Sequence, residues 1–157
     1  MKLRDADRLL VVPALSLLPE KMRSQEARVM LLTIGLQESR LEYRHQIGGP
    51  AHGYLQFERL GVEGVLTHSA TDDYAHDFCK ALDFTPRTDE VYDAIEYSGL
   101  LAMGVGRLLL WTDPYALPSV HDAQGAWDLY IRCWRPGRPH RNTWNALHDR
   151  VLSHVLQ

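Results

Sequence analysis

The sequence predicts a single, mainly α-helical domain that spans residues 1–157. Three observations predict this fold class. Apolar residues recur at helical spacing through most of the chain. A chain of 157 residues suits one domain and buries roughly two thirds of its extended surface. No internal repeat and no linker-like stretch divides the sequence, so we expect one compact core.

The N-terminal part of the chain predicts two helices. Pro13 suits a first helical turn, so a short apolar helix is expected from there to about Pro19. Ser24 is a suitable N-cap for a second helix. Within that helix, residues 30–36 are apolar on all sides, which is typical of a helix at the centre of a domain. We expect it to end near residues 39–40.

The middle of the chain predicts the only non-helical element. Residues 47–53 contain three glycines and a proline, which indicates a tight, irregular loop. Residues 54–57 are expected to form a short extended piece after it. A minor β or loop segment is therefore predicted at about residues 47–58.

Five helical stretches are expected after that segment. Serine, threonine or aspartate residues stand at several of their starts, and proline or glycine residues follow some of their ends. The expected ranges are 59–67, 70–82, 88–110 with a kink at Gly104 and Gly106, 123–134 with a stop at Arg135-Pro136-Gly137, and 142–155.

The charge balance excludes nucleic acid as the expected main partner. The formal net charge is −3 and the pI is about 6.2. Residues 132–150 differ from this average, because five arginines stand there against Asp149 alone. This basic segment suits an anionic polymer or an acidic partner surface, and it equally suits an ordinary solvated face.

Targeting and metal signals are both missing from the sequence. The apolar stretch at residues 9–18 contains Pro13, lacks a basic start and is too short to span a bilayer, so no export or membrane segment is expected. Cys79 and Cys133 are interpreted as core residues. His45 and His52 do not match a paired-ligand spacing, so we expect no metal site and no cofactor.

Glu38 is the leading candidate for a catalytic residue. It lies in the last turn of the apolar helix, where desolvation and the negative end of the helix dipole both raise a carboxyl pKa. A carboxyl group with a raised pKa can act as a general acid near neutral pH. A solvated glutamate at a helix end is the plainer interpretation.

The glycine loop adds a second, independent indication. Gln56 follows Glu38 by eighteen residues and offers both a donor and an acceptor to a sugar. Tyr54 and Phe57 offer flat apolar faces, and His52 is the one histidine expected near a substrate. The alternative is a turn whose aromatic side chains pack in the core.

Together, Glu38-Ser39 and Gly53-Tyr54-Leu55-Gln56 resemble two motifs of the soluble lytic transglycosylase family, within the lysozyme-like superfamily. The sequence around these motifs also resembles that of small lysozyme-like proteins of phages and prophages. The resemblance implies that Glu38 is the acid, that Ser39 and Gln56 contact the glycan, and that Tyr130 corresponds to the family's site tyrosine. Ile131 departs from that family's pattern after this tyrosine.

The resemblance implies cleavage of the β-1,4 bond between N-acetylmuramic acid and N-acetylglucosamine. Glu58 and Glu42 are the candidates for a second carboxylate, and Glu58 is expected to share the face of Gln56 only if residues 54–58 are extended. Without a second carboxylate, the substrate's acetamido group can assist. A hydrolytic muramidase and a transglycosylase that forms a 1,6-anhydro ring both remain open.

The expected setting is a phage or prophage. There the protein would reach the peptidoglycan of the cell wall through a membrane lesion or as part of a virion, with virion proteins as further partners. Two alternatives from other classes are a non-catalytic virion or tail protein on the same scaffold, and a glycan-binding module without turnover.

Overall fold

The computed structural model describes residues 1–157, and most of them are helical. The chain forms one domain with a single hydrophobic core, and only isolated β-bridges are present. The prediction of a mainly helical, one-domain fold is therefore confirmed. The helices are α1 (Leu3–Ala6), α2 (Val12–Leu17), α3 (Gln25–Ser39), α4 (Arg59–Thr67), α5 (Asp72–Ala81), α6 (Thr88–Tyr97), α7 (Gly99–Trp111), α8 (Ala123–Trp134) and α9 (Arg141–Val155).

The first helical stretch begins earlier than predicted. Helix α1 starts at Leu3, and a π-helical segment, Asp7–Val11, joins it to α2. The expectation that the helix begins at Pro13 is wrong. A proline removes one N–H donor and crowds the carbonyl four residues before it, and the wider π turns just before Pro13 allow the chain to stay helical.

Helix α3 is the buried centre of the domain, as its sequence predicts. The Ser24 side chain accepts a hydrogen bond from the backbone N–H of Ala27 and so caps its start. The helix packs most extensively against α9. It ends at Arg40, which adopts the left-handed conformation with φ of 56°.

The predicted long helix at 88–110 is two helices. The backbone is extended at Ser98, which ends α6, and the Ser98 side chain caps α7 by accepting a hydrogen bond from Leu101 N–H. Gly104 and Gly106 lie inside α7 and mark no break. They admit side chains from neighbouring elements, since a Cβ on Gly104 would lie 2.0 Å from Phe78 Cζ.

The segment predicted to be extended, 54–57, is a turn. Gln56 N–H donates to Gly53 O, and Gln56 itself has a left-handed φ of 53°. Antiparallel bridges join His52 to His45 on one side and to Phe57 on the other. The loop is therefore folded back on itself as a compact unit.

A buried ionic cluster fastens both ends of the chain to the core. Asp7, which is 5% exposed, accepts two hydrogen bonds from Arg28 of α3 and lies 2.9 Å from His154 Nε2 of α9. None of the helices combines the length and apolar character that crossing a membrane requires.

Candidate active site around Glu38

The end of α3 opens into the main cleft of the molecule. The cleft has a volume of about 740 Å³. Glu38, half-buried in the last turn of α3, lies on its wall. The left-handed residues that follow α3 turn the chain away from the helix axis, which leaves this end of the helix accessible.

Glu38 is held by Tyr130, a residue of α8. The Tyr130 hydroxyl donates a hydrogen bond of 2.5 Å to Glu38 Oε1. The tyrosine ring is itself fixed, because it stacks on Trp144 of α9 with the ring centres 5.0 Å apart. The carboxyl group therefore has a defined position, set by two helices that follow it by about a hundred residues in sequence.

Burial changes the acidity of both groups. Desolvation raises the pKa of Glu38 to about 6, against the smaller lowering effect of the Tyr130 hydrogen bond. The pKa of Tyr130 is raised by burial and by the neighbouring carboxylate, so its hydroxyl stays protonated and remains a donor. A carboxyl group with a pKa of about 6 can release a proton near neutral pH.

The opposite wall is the turn that carries Gln56. Its side-chain amide donates to Gly53 O at 2.9 Å, and the residue lines the cleft together with Phe57. Gly53 has a φ of 77°, and a Cβ there would lie 2.7 Å from the Ile95 carbonyl oxygen. Only glycine fits this close approach of the turn to α6.

Three of the predicted substrate contacts face the interior instead of the cleft. Ser39 is 2% exposed, and its hydroxyl contacts Tyr54 O at 2.6 Å, Gly35 O and Leu41 N–H. Tyr54 is buried, with its hydroxyl accepting from Arg44 Nε. His52 is also buried, with Nδ1 bonded to Tyr92 O. The three side chains therefore stabilise the protein around the cleft and do not line the cleft itself.

Two carboxylates line the cleft, Glu38 and Glu58. Glu58 is exposed and directly precedes α4. The extended conformation on which its placement was predicted is absent, yet the turn at Gln56 still brings Glu58 to the same cleft. Glu42 is exposed and does not line it.

The segment after α8 forms the far wall, where the sequence indicated a basic stretch but no particular site residue. Arg135 was interpreted as part of a helix stop, and it does end α8 with a φ of 47°. Arg135, Arg138 and His140 also line the cleft, beside Trp134, whose indole N–H donates to Leu55 O. The arginine excess of the 132–150 segment was the available signal.

The chain also contains two cysteines and a pair of neighbouring histidines as reactive side chains. Cys79 and Cys133 are free thiols, and burial raises the pKa of each to about 11. His45 and His52 lie next to each other in space, and Glu96 lies beside them, although sequence spacing gave no metal signal. These three are the residues of the chain with a geometry that could hold a metal ion.

A scan against protein-family models and searches of curated proteins and of solved structures found no match for this chain.

Proposed function

We propose that the protein cleaves the β-1,4 bond between N-acetylmuramic acid and N-acetylglucosamine in peptidoglycan, with Glu38 as the catalytic acid. The observation that carries this proposal is the state of Glu38 in an open cleft. Its pKa is raised to about 6, and Tyr130 fixes its orientation. Glycosidic cleavage needs such a proton donor beside the leaving oxygen.

The remaining walls of the cleft suit an amino sugar that carries an anionic substituent. Gln56 offers hydrogen bonds to hydroxyl or acetamido groups, and the partly exposed Trp134 offers a ring face for apolar contact with a pyranose. Arg135 and Arg138 provide positive charge for the carboxylates of the peptide stem, which is amide-linked to the lactyl group of N-acetylmuramic acid. An anionic glycan is favoured over a neutral one by this wall.

The reaction proceeds in two steps on this proposal. Glu38 gives its proton to the glycosidic oxygen, the C1–O bond breaks, and the resulting carboxylate of Glu38 then serves as a base. In the second step it deprotonates either water or the 6-hydroxyl group of the muramic acid, which attacks C1. Glu58 or the substrate's acetamido oxygen stabilises the positive centre in between.

The setting that fits this activity is a phage or prophage protein that meets the wall through a membrane lesion or within a virion. Peptidoglycan strands are the proposed partner, and virion proteins are further candidates. A non-catalytic binding or structural role on the same scaffold is the competing proposal, and the same assay distinguishes the two.

The assay incubates purified protein with isolated peptidoglycan and identifies the products by mass. We expect muropeptide release by the wild type, a loss of at least 100-fold in Glu38→Gln, and little change in Glu42→Gln, which alters an exposed carboxylate outside the cleft. Anhydro ends indicate a transglycosylase and reducing ends a hydrolase. Equal release by wild type and Glu38→Gln contradicts the proposal, and pelleting with insoluble peptidoglycan without release supports the binding role.

A further inference from the structure

A second cluster of reactive side chains lies where the turn meets α6. It consists of His45, His52 and Glu96, and one donor atom from each lies within 4.8 Å of the others. His45 Nδ1 is 3.0 Å from Glu96 Oε1. Two of these residues come from the loop after α3, and Glu96 comes from the last turn of α6.

The surroundings of the His52 ring fix its position and occupy one of its two nitrogens. Its Nδ1 lies 2.9 Å from the Tyr92 carbonyl oxygen, which can only accept, so Nδ1 carries the proton and the lone pair of the neutral ring is on Nε2. The ring also stacks on Tyr92, with the ring centres 3.9 Å apart and an angle of 8°. A histidine that donates one ring N–H to a backbone carbonyl is the usual arrangement behind a metal-bound nitrogen.

We propose that His45, His52 and Glu96 form a binding site for a divalent transition-metal ion of the zinc type. Two imidazole nitrogens and one carboxylate are a donor set that zinc accepts, with water as the fourth ligand. Neighbouring donors around a tetrahedral zinc lie about 3.3 Å apart, given zinc–nitrogen distances of about 2.0–2.1 Å. His45 Nδ1 and Glu96 Oε1, at 3.0 Å, are already slightly closer than this value.

Because the three donor atoms lie within 4.8 Å of one another, a zinc ion would draw the His45 and Glu96 side chains toward His52. The His45 side chain is 54% exposed and the Glu96 side chain 21% exposed, so both can rotate toward the fixed ring of His52. Because His45 also lines the cleft, a bound ion would tie this wall of the cleft to α6. The proposed metal site would therefore stabilise the wall of the cleft, and it does not depend on which ligand the cleft binds.

The test is a zinc titration of chelator-treated protein by calorimetry, repeated with cobalt, whose visible absorption becomes intense in tetrahedral coordination. We expect one ion per chain in the wild type and at least tenfold weaker binding in His45→Asn and in Glu96→Gln. The exposed histidine variant His121→Asn should bind like the wild type. His52 is left unchanged because its ring is packed in the fold.

A separate readout is the melting temperature, which zinc should raise in the wild type and in His121→Asn but not in Glu96→Gln. Two outcomes overturn the proposal: zinc affinity that is the same in Glu96→Gln and wild type, or binding of one ion without tetrahedral cobalt absorption. Either result would leave His45 and Glu96 as an ordinary ion pair beside the stacked ring of His52.

Discussion

Tyr130 donates its hydroxyl hydrogen bond to Glu38 across 92 positions of sequence, and this contact opposes the effect of burial on the same carboxyl group. Burial raises the pKa of Glu38, and the hydrogen bond lowers it because the donor stabilises the charged form. Burial is the larger effect. The Tyr130 side chain of α8 therefore sets part of the pKa of Glu38, the proposed catalytic group.

Replacing Tyr130 by phenylalanine should raise the pKa of Glu38 above its value of about 6. The ring that stacks on Trp144 is retained, and only the donor is lost, so a rise of about one unit is expected. Carboxyl chemical shifts followed by NMR against pH measure it. Tyr115→Phe, at an exposed tyrosine, is the control, and an unchanged Glu38 titration would refute the proposed balance.

Glu38→Gln should stabilise the protein at pH 7. The folded-state pKa of about 6 lies above the ordinary 4.5, so the folded state binds this proton more tightly than the unfolded state. The stability that this provides is complete below pH 4.5 and is lost as the pH rises through 6. Glutamine stays neutral throughout, so the variant should gain about 2 kcal/mol over the wild type above pH 6.

Urea denaturation at pH 4 and pH 7.5 measures that gain. The two proteins should be nearly equal at the lower pH and differ at the higher one, while Glu42→Gln should show no such divergence. A constant difference between Glu38→Gln and wild type at both values would mean that the carboxyl group is not desolvated in the folded protein.

Ser39→Ala should lower stability before it affects any ligand. The Ser39 hydroxyl forms hydrogen bonds with Tyr54 O and Leu41 N–H inside the protein. Alanine leaves these buried backbone groups without that partner. The expected cost is about 1–3 kcal/mol in the free energy of unfolding. Ser119→Ala, an exposed serine, is the control. If Ser39→Ala weakens glycan binding with unchanged stability, the direct contact implied by the family resemblance is correct.

Two glycine-to-alanine changes should have opposite signs. A Cβ on Gly104 would lie 2.0 Å from the buried Phe78 ring, so Gly104→Ala forces the core apart at a cost of about 1–3 kcal/mol. A Cβ on Gly64, an exposed position in α4, meets nothing within 4 Å, and alanine there should stabilise the helix by about 0.5–1 kcal/mol. Thermal denaturation of both variants provides the comparison, and equal shifts would contradict the close packing described for Gly104.

The predicted helices are wrong at two places, for different physical reasons. Local rules predict a helix start at Pro13, although the chain is helical through the π segment before it. The glycines at 104 and 106 predict a kink, whereas the break occurs at Ser98, whose side chain caps the next helix. At Gly104, packing against Phe78 favours a continuous helix over the glycine preference of about 1 kcal/mol, whereas at Pro13 the π turns accommodate the larger proline penalty of about 3 kcal/mol.

The candidate site was predictable in part. Glu38 and Gln56 line one cleft, as the spacing of their motifs suggested, and Tyr130 contacts Glu38 directly. Ser39 and Tyr54 lie in the same motifs but point inward, because the Ser39 hydroxyl bonds buried backbone groups at the end of α3 and the Tyr54 ring packs in the core. Adjacency in sequence does not tell which of two neighbours faces solvent.

By itself, the sequence determined the helical class, the buried α3 and the two segments that meet at Glu38, because periodicity and glycine content act over a few residues. Only the tertiary structure decided what surrounds Glu38. The raised pKa, the Tyr130 hydrogen bond, the arginines of the far wall and the grouping of His45 and His52 with Glu96 all join segments distant in the chain. Desolvation and hydrogen bonding depend on which groups become neighbours, and the packing of the core sets that.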